Sequence, residues 1–474
     1  MFFRQIFDDQ LAQNAYLIGC QQTGEALIVD PQRDIDRYLS LAAQEGLRIN
    51  AVTETHIHAD FLSGARELAE HDQEIKVYLS DEGDEDWKYL WVPEGRPQVR
   101  FLKHGDTFSV GKIELRVLHT PGHTPEHLSF LVTDRGGGAS EPMGILSGDF
   151  VFVGDLGRPD LLESAAGLEG AMEPSAQRLY ASAREFLKLP DYLQVWPGHG
   201  AGSACGKALG AVPESTVGYE RRFSPAIAAA QGPEADFVRF ILDGQPEPPL
   251  YFGRMKILNK EGAPVLGDLP RPREMDATEL LELAGGQEAT ILDTRLDREA
   301  YLAGHIEGSV YAPLNRTFPT IAGSYVDPDL PIFLIVETHQ VEGAVRSLVR
   351  VGLDQVVGFA TAETLQQVEG LTPMRSVDFA ELRRLPAEPK AAMLDVRSMA
   401  EFEEGHLPEA IHIPHTRLRA RLGEIPKDTE ILVHCRSGAR ASSAVSLLER
   451  QGFSVTLVND LFTNRPKGES EIAV

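Results

Sequence analysis

The C-terminal part of the chain contains one sequence pattern twice, and this repeat limits the fold more than any other feature. Ile291-Leu-Asp-Thr-Arg295 aligns with Met393-Leu-Asp-Val-Arg397, and further matches follow at offsets of 100 to 102 residues. The length of 474 residues also predicts about three domains. We therefore predict a first domain at 1–250, a linker at 251–272, and two copies of one α/β domain at 273–371 and 375–474. The Pro- and Gly-rich linker is predicted to be extended and semi-rigid.

The charge balance excludes several classes of partner. The chain has 45 Lys and Arg against 71 Asp and Glu, a formal net charge of −26. Such an acidic surface repels nucleic-acid phosphates and anionic lipids, so we expect no nucleic acid and no membrane as partner. No apolar run approaches the about 20 residues that cross a bilayer. The first residues do not resemble a signal peptide, and we expect a cytoplasmic location.

Cysteine and histidine usage points to metal chemistry rather than to disulfides. The three cysteines, Cys20, Cys205 and Cys435, are far apart and form no CxxC pair. This excludes a disulfide scaffold and a cysteine-based zinc site. Eight of the 14 histidines precede residue 200. The N-terminal half is therefore the place to look for a metal site.

Four short polar motifs follow predicted strands in that half. They are His56-Ile-His58-Ala-Asp60, Pro-Gly-His123, Gly-Asp149 and Pro-Gly-His199. His56 and His58 are two positions apart, so in an extended backbone they lie on one side and can share a pocket. Isolated histidines would be ordinary surface or capping residues, but four such motifs in this order favour a metal site.

These motifs resemble those of the metallo-β-lactamase fold superfamily over about residues 1 to 250. The resemblance implies an α/β fold, an αββα sandwich with metal between the sheet edges. Binuclear zinc hydrolases of this fold have a histidine directly after the aspartate, where this chain has Phe61. We therefore expect one metal ion per chain and no organic cofactor.

Two histidines and one carboxylate form the facial triad that suits non-haem Fe(II), and zinc remains an option for the purified protein. The expected ligands are His56, His123 and Asp149, and His58 is counted with them, although direct binding by His58 stays open. Asp60 and His199 are expected to orient the ligands.

The run Gly154-Asp-Leu-Gly-Arg158-Pro-Asp160-Leu resembles the persulfide dioxygenase branch of that superfamily. Those enzymes use Fe(II) and O2 to convert a low-molecular-weight thiol persulfide to thiol and sulfite. By this resemblance Arg158 binds the anionic group of the carrier thiol; alternatively, it pairs with Asp155 or Asp160. Cys205, just after His199, either binds or relays sulfur or is a small buried residue.

The second copy of the repeat contains Cys435 between a buried strand and a helix. Backbone N–H groups, the helix N-terminus, Arg436 and Arg440 favour a thiolate or persulfide there. This segment resembles the rhodanese family. A cysteine phosphatase has five residues between Cys and Arg, whereas Cys435 and Arg440 are separated by four, and the smaller loop suits sulfur. The first copy has no cysteine, so we expect a degenerate rhodanese with a docking role.

Together the resemblances imply a persulfide dioxygenase fused to a sulfurtransferase of the thiosulfate type, acting in sulfide detoxification. The expected partners are a thiol persulfide, O2, and sulfite or thiosulfate. A glyoxalase II-like zinc thioester hydrolase with a rhodanese module is the alternative. A non-catalytic sulfide sensor is a third hypothesis. The sequence leaves the oligomeric state open, including a homo-oligomer.

Overall fold

The chain forms two structural units. The computed structural model describes residues 1–93, 95–164, 170–384 and 391–465. One unit consists of Met1–Asp268 and Arg350–Gly352, and the other of Leu269–Val349 and Leu353–Val474. The first unit contains the predicted metal site, and the second contains both copies of the repeat. Within the described part of the chain, no helix is long and apolar enough to cross a bilayer.

Two six-stranded sheets make up the centre of the first unit, as far as the chain is described. The first contains β1 (Phe2–Asp8), β2 (Gln13–Cys20), β3 (Glu25–Val29), β4 (Arg48–Thr53), β5 (Lys76–Ser80) and β6 (Val99–Leu102), in that order. The second contains β7 (Thr107–Val110), β8 (Ile113–His119), β9 (Leu128–Asp134), β10 (Gly144–Gly148), β11 (Gln194–Pro197) and β12 (Ser215–Thr216), also side by side in chain order.

The described residues of the first unit also form eight helices: α1 (Asp36–Gln44), α2 (Ala65–His71), α3 (Leu161–Ser164), α4 (Met172–Phe186), α5 (Val217–Phe223), α6 (Pro225–Ala230), α7 (Glu234–Leu242) and α8 (Phe252–Glu261). Of these, α1 and α2 pack on the outer face of the first sheet, and α4, α5, α6 and α7 pack on that of the second. Side chains alternate across each strand, so Leu17 packs on the side of α1 and α2 while Ile18 faces the other sheet. In the second sheet, Phe130 faces the first sheet and Leu131 packs with α4, α6 and α7. The predicted αββα sandwich is confirmed.

The segment predicted as an extended linker contains a helix. Within 251–272, α8 buries Phe252 and Met255 and belongs to the first unit. The Pro- and Gly-rich composition misled the prediction because those residues lie on either side of the helix, at 246–249 and 262–270. Only the part after α8 lacks regular structure up to β13 (Arg273–Glu274).

Both copies of the repeat form a five-stranded parallel sheet among the described residues. The first copy contains β13, α9 (Ala277–Leu281), β14 (Thr290–Asp293), α10 (Arg298–Ala303), β15 (Val310–Tyr311), α11 (Phe318–Tyr325), β16 (Ile332–Ile335), α12 (Val341–Arg350), β17 (Val356–Ala360) and α13 (Ala362–Gln366). The second contains β18 (Ser376–Val377), α14 (Phe379–Leu382), β19 (Ala391–Asp395), α15 (Met399–Glu403), β20 (Ile411–His412), β21 (Glu430–His434), α16 (Ala439–Arg450) and β22 (Val455–Val458). Their strand orders, β13-β17-β16-β14-β15 and β18-β22-β21-β19-β20, are equivalent, which confirms the repeat at the level of topology.

Helix α16 of the second copy is bonded to the first copy. The Arg450 guanidinium donates to the carbonyls of Gly286, Ala289 and Gly308 at 3.2, 2.6 and 3.0 Å. Glu449, the residue before Arg450, accepts from His305 Nε2 at 2.9 Å. These contacts fix the two copies to each other inside the second unit.

A buried ion pair holds the end of the first unit. Arg33 and Glu67 are 1% and 6% exposed and lie 3.1 Å apart, Nη2 to Oε1. Glu67 also accepts from the Leu266 N–H at 2.7 Å, and Arg33 donates to the Pro264 carbonyl at 2.6 Å. The stretch after α8 is therefore attached to helix α2.

We expect Glu67→Gln to destabilise the first unit by about 3–5 kcal/mol, because the buried Arg33 charge loses its counter-charge. Urea unfolding measures this loss, and limited proteolysis should cut faster around 263–268. The control is Glu70→Gln on the same helix, whose carboxylate is 39% exposed and should contribute under about 1 kcal/mol. Equal stability of the two variants would contradict the assignment.

Candidate functional site

The first candidate site is a buried group of two imidazoles and one carboxylate. His56 follows β4, His123 follows β8 and Asp149 follows β10, and one ligand atom from each lies within 4.8 Å of the others. Asp149 Oδ2 is 4.0 Å from His56 Nε2 and 3.6 Å from His123 Nε2. This buried oxygen has no hydrogen-bond partner among the described residues. The donor set and the unpaired oxygen both fit a bound divalent metal ion.

Hydrogen bonds on the far side of each ring orient both imidazoles. His56 Nδ1 lies 2.9 Å from the Thr55 hydroxyl, and His123 Nδ1 donates to the Arg158 carbonyl at 3.0 Å. Each ring therefore directs Nε2 towards Asp149. Partners of this kind fix the tautomer that a metal-binding histidine needs.

Burial sets the protonation states that metal binding requires. Desolvation lowers the pKa of His123 and holds the pKa of His56 well below its usual value. Burial on its own would raise the pKa of Asp149, but the neighbouring histidines, His199 foremost, outweigh it and keep this pKa well below the usual range. Two neutral imidazoles and one carboxylate at neutral pH are the forms that bind a metal ion.

A second buried group lies on the other side of Asp149. Asp60, His199 and Cys205 also place one ligand atom each within 4.8 Å of one another. His199 Nδ1 lies 2.8 Å from Asp149 Oδ1, and His199 Nε2 lies 2.8 Å from Asp60 Oδ2. Burial raises the pKa of Cys205 to about 12, so this residue is a thiol at neutral pH. His199 is thus bonded to Asp149 and Asp60 to His199, and their role in orienting a metal ligand stays a prediction.

His58 lies beside this site but outside both groups. Its ring centroid is 4.2 Å from that of His56, and its Nε2 is 3.1 Å from Asp30 Oδ1. Burial on its own would lower the pKa of His58, but Asp30 outweighs burial and raises it to about 9. Its buried Nδ1 has no hydrogen-bond partner among the described residues. Direct metal binding by His58 therefore stays a prediction.

Arg158 is buried and already bonded. Its Nε donates to Asp160 Oδ1 at 2.8 Å, its Nη2 pairs with Asp160 Oδ2 at 2.5 Å, and its Nη1 donates to the Ala204 carbonyl at 3.0 Å. The side chain is 1% exposed. The structure thus contains the pairing with Asp160, one of the two roles that the sequence left open for Arg158. Binding of a carrier thiol by Arg158 stays a prediction.

Helix α8 supplies a residue that the sequence did not single out. Asn259 donates through Nδ2 to the carbonyls of His58 and Phe61 at 2.8 and 2.7 Å, and its Oδ1 accepts from the Ser63 N–H at 2.9 Å. One side chain thus fixes the loop that carries His56, His58 and Asp60. Its position about 200 residues away leaves no local signal in the sequence.

Two further groups near the metal site were missed. His127 Nε2 accepts from the Asp149 N–H at 3.0 Å, and the His127 ring stacks on His56. Asp30 accepts from the N–H and hydroxyl of Thr55 at 2.7 and 2.9 Å. For Asp30 a signal existed, because it follows the apolar run of β3 just as the motif residues follow their strands.

We expect Asn259→Leu to weaken metal binding by about 10- to 100-fold, because three backbone groups of the ligand loop lose their partner. Competition with a chelator of known affinity measures the change for Zn²⁺. The matched control is Ile257→Ala on the same helix, since Ile257 is 54% exposed. An unchanged affinity in Asn259→Leu would show that the loop is held without α8.

The second candidate site is built around Cys435. Cys435 follows β21 and is 1% exposed, and its Sγ accepts from the Ala441 N–H at 3.4 Å in the first turn of α16. Gly438 precedes that helix with φ +87°, a left-handed conformation that favours glycine. The strand, tight loop and helix N-terminus are arranged as predicted, and they favour negative charge on the sulfur.

The two predicted arginines of this loop differ in environment. Arg440 pairs with both carboxylate oxygens of Glu401 at 2.6 and 2.7 Å, and Cys435 is among the groups that raise the pKa of Arg440 against burial. Arg436 has an exposed side chain, and its carbonyl accepts from the Phe462 N–H at 2.9 Å. Arg440 is therefore the arginine placed at the sulfur.

In the first copy a valine takes the place of the cysteine. Strand pairing matches Asp293 with Ile335 in the first copy and Asp395 with His434 in the second, so Val336 occupies the position of Cys435. The loop borders a cavity of about 680 Å³. The described part of this copy thus keeps a pocket but offers no sulfur nucleophile there.

His434, next to Cys435, gives the second unit a pH-dependent stability. Its ring is 0% exposed and stacks on Phe462 at 5.2 Å, and burial lowers its pKa from 6.5 to about 4. Because the unfolded chain binds a proton below pH 6.5 and the folded chain does not, stability falls as the pH drops from 6.5 to about 4.

We expect His434→Phe to remove the contribution of this ring to the loss of stability between pH 6.5 and about 4. That contribution is about 1.4 kcal/mol of unfolding free energy per pH unit. Urea unfolding at pH 7.5 and pH 5 measures the difference for each protein. His406→Phe, at an exposed position of the same copy, is the control and should keep the wild-type pH dependence. A parallel fall of wild type and His434→Phe would contradict the role of this ring.

Two family models match the chain. That of the metallo-beta-lactamase superfamily matches residues 8–199. That of the rhodanese-like domain matches residues 276–360 and again 378–462. Both the metal site and the loop of Cys435 lie inside these matches.

Two solved structures and one curated protein are similar to this chain. A metallo-beta-lactamase from Staphylococcus aureus subsp. aureus COL is 42% identical, covers 76% of this chain and 99% of that chain, and has a TM-score of 0.68. ETHE1 from Myxococcus xanthus is 26% identical over 56% of this chain and 100% of that chain, with a TM-score of 0.43.

The hydroxyacylglutathione hydrolase of Nitrosococcus oceani is 31% identical over 39% of this chain and 60% of its own length. The chain spans about half the length of the first curated relatives that it matches, 54% and 53%.

Proposed function

Because this chain belongs to the metallo-beta-lactamase superfamily and contains two rhodanese-like domains, we propose that it couples persulfide oxidation to sulfur transfer. The substrates are a low-molecular-weight thiol persulfide and O2, and the products are the thiol and sulfite. The balanced reaction is RSSH + O2 + H2O → RSH + SO3²⁻ + 2H⁺, in which the outer sulfur is oxidised and O2 is reduced. The single observation that carries this proposal is the group of His56, His123 and Asp149.

These three residues fit a ferrous ion. Two imidazoles and one carboxylate leave further coordination positions for small ligands. Iron held there supplies the redox chemistry that brings O2 and a sulfur anion together. The protein holds His56 and His123 neutral by burial and keeps Asp149 ionised, so the ligands are ready at neutral pH.

Phe61 supports one metal ion rather than two. Its side chain is 0% exposed and packs against the His58 ring at 4.4 Å. It occupies the position directly after Asp60, where binuclear hydrolases of this fold have a histidine. An apolar ring there supports binding of a soft sulfur substrate in place of a second imidazole.

Sulfur transfer is proposed for Cys435. A Cys435 persulfide delivers its outer sulfur to sulfite, which regenerates the thiolate and forms thiosulfate, or the same step runs in reverse. The Ala441 N–H and Arg440 stabilise negative charge on the sulfur in both states. Cys20, Cys205 and Cys435 form no disulfide, which supports a reducing, cytoplasmic setting.

A zinc-dependent thioester hydrolase is the second candidate, and a specific observation favours it. Asp60, His199 and Cys205 form a further group of ligand type beside Asp149. Two metal ions, one held by each group, would suit hydrolysis of a thioester. The hydroxyacylglutathione hydrolase relative is in line with this reading.

We expect ferrous-loaded protein to consume O2 and release sulfite when given glutathione persulfide, and zinc-loaded protein to do neither. His123→Ala should abolish O2 uptake but leave thiosulfate-dependent sulfur transfer unchanged, because only the metal site loses a ligand. Cys435→Ser should do the reverse. An oxygen electrode, sulfite determination and thiocyanate formation from cyanide measure the activities.

Other carrier thiols are tested if glutathione persulfide gives no uptake. Failure of all of them, together with hydrolysis of a glutathione thioester by the zinc form, would overturn the dioxygenase in favour of the hydrolase. Loss of both activities in either folded variant would contradict two separate sites.

A further inference from the structure

The cysteine-less copy places one end of helix α11 against the site of the second copy. Helix α11 packs on the segment His415–Glu424, which belongs to the second copy. From that segment Arg419 donates to the Val326 carbonyl at 2.7 Å and pairs with Asp327 at 2.7 Å. The last residue of α11, Tyr325, is therefore held in a fixed position relative to the second copy.

The Tyr325 hydroxyl is a buried donor near the cysteine loop, because the segment His415–Glu424 packs on both α11 and α16. The side chain is 4% exposed, and its hydroxyl has no hydrogen-bond partner among the described residues. Burial raises the pKa of Tyr325, and negative charge on Cys435 raises it further. The hydroxyl thus keeps its proton at neutral pH and lies within electrostatic reach of the sulfur. Leaving such a donor unpaired is unfavourable, so it needs an acceptor.

A second side chain of the first copy reaches the cysteine loop. A Cβ at Gly438 would collide with Nη1 of Arg298 and with Oδ1 of Asn459. That Nη1 is buried and has no hydrogen-bond partner in the described part of the chain. Arg298, the first residue of α10, therefore adds positive charge where the loop turns into α16.

The second copy's own groups leave room for another donor. Cys435 is among the groups that raise the pKa of Arg440, but Glu401 pairs with this guanidinium and balances its charge. Burial lowers the pKa of His415 to about 4, helped by Arg440, so this ring is neutral and adds no charge. Beyond the Ala441 N–H, a further donor would stabilise an anionic sulfur on Cys435.

We propose that the cysteine-less copy completes the sulfur-transfer site, with the Tyr325 hydroxyl donating a hydrogen bond to the sulfur carried by Cys435. This inference rests on the proposed transfer at Cys435. The Cys435 thiolate attacks the outer sulfur of thiosulfate, and an S–S bond to Sγ forms. The bond to the sulfonate sulfur breaks, and its electron pair leaves with sulfite. The negative charge now lies on the outer sulfur of the persulfide, where Tyr325 stabilises it.

The test measures an equilibrium rather than a rate. Full-length wild type and Tyr325→Phe are incubated with thiosulfate and sulfite at fixed ratios, and intact-protein mass spectrometry gives the persulfide fraction. We expect the equilibrium constant for persulfide formation to fall about tenfold in Tyr325→Phe, since a hydrogen bond to a charged group is lost. Arg298→Gln should lower the same constant by a smaller factor of about threefold.

Tyr301→Phe is the matched control. Tyr301 lies in the same copy with 0% exposure and an unpaired hydroxyl, and its neighbouring charges are Asp293 and Glu449 rather than Cys435. We expect the equilibrium constant for persulfide formation in Tyr301→Phe to stay within about twofold of the wild-type value. A wild-type constant in Tyr325→Phe, or an equal fall in Tyr301→Phe, would overturn the inference.

The behaviour of the wild type distinguishes failure of the proposed sulfur transfer from failure of the role given to Tyr325. If wild type forms no Cys435 persulfide from thiosulfate at any ratio, the proposed sulfur transfer itself is wrong. If wild type forms it and Tyr325→Phe forms it equally well, only the role of the first copy is wrong.

Discussion

The carboxylate of Asp149 connects the two buried groups of the first unit. One oxygen faces His56 and His123, and the other accepts from His199 at 2.8 Å. A buried carboxylate stays ionised only when neighbouring groups compensate for its desolvation. His199, whose pKa rises well above the usual value despite burial, provides that compensation in the residues described. The ionised state of Asp149 therefore depends on this pair, whereas burial keeps His56 and His123 neutral.

The two buried groups beside Asp149 differ in how well they are suited to bind a metal ion. The side of His56 and His123 has neutral nitrogens and a carboxylate oxygen without a hydrogen-bond partner among the described residues, which is a metal-binding arrangement. The side of His199 has carboxylates bonded to both ring nitrogens and a protonated Cys205. A second metal ion there would have to displace a proton from the thiol and break the bond to Asp60. This cost, together with Phe61, favours one metal ion.

The sequence was sufficient for the parts of the site that lie at strand ends. A histidine or aspartate that directly follows an apolar run is expected at the end of a strand. Because β10 and β11 are parallel neighbours, Asp149 and His199 lie at the same edge of the sheet. The same logic would have found Asp30 after β3. The repeat likewise predicted two equivalent sheets, since a shared pattern over about 100 residues implies a shared topology.

What the sequence could not predict are contacts across large separations. Asn259 contacts the metal loop from helix α8, which lies in a segment interpreted as linker because prolines and glycines flank it. The pairing of Arg158 with Asp160 was one of two open alternatives, and only burial distinguishes a bonded arginine from one available to substrate. Polarity in the sequence indicates that a group needs a partner, not which partner it has.

Contacts between distant residues also explain why the sequence of the first copy, taken alone, predicts no activity. With Val336 in place of a cysteine it lacks its own nucleophile, and nothing local in its sequence replaces that function. Hydrogen bonds nevertheless join it to the second copy, and Arg450, which aligns with Arg350 in the repeat, makes three of them. A domain that served only to fill space would bury apolar side chains at such an interface. Instead, Tyr325 and Arg298 each have a buried donor without a hydrogen-bond partner among the described residues, and that of Arg298 lies beside Gly438. A role in sulfur transfer would explain this cost in stability.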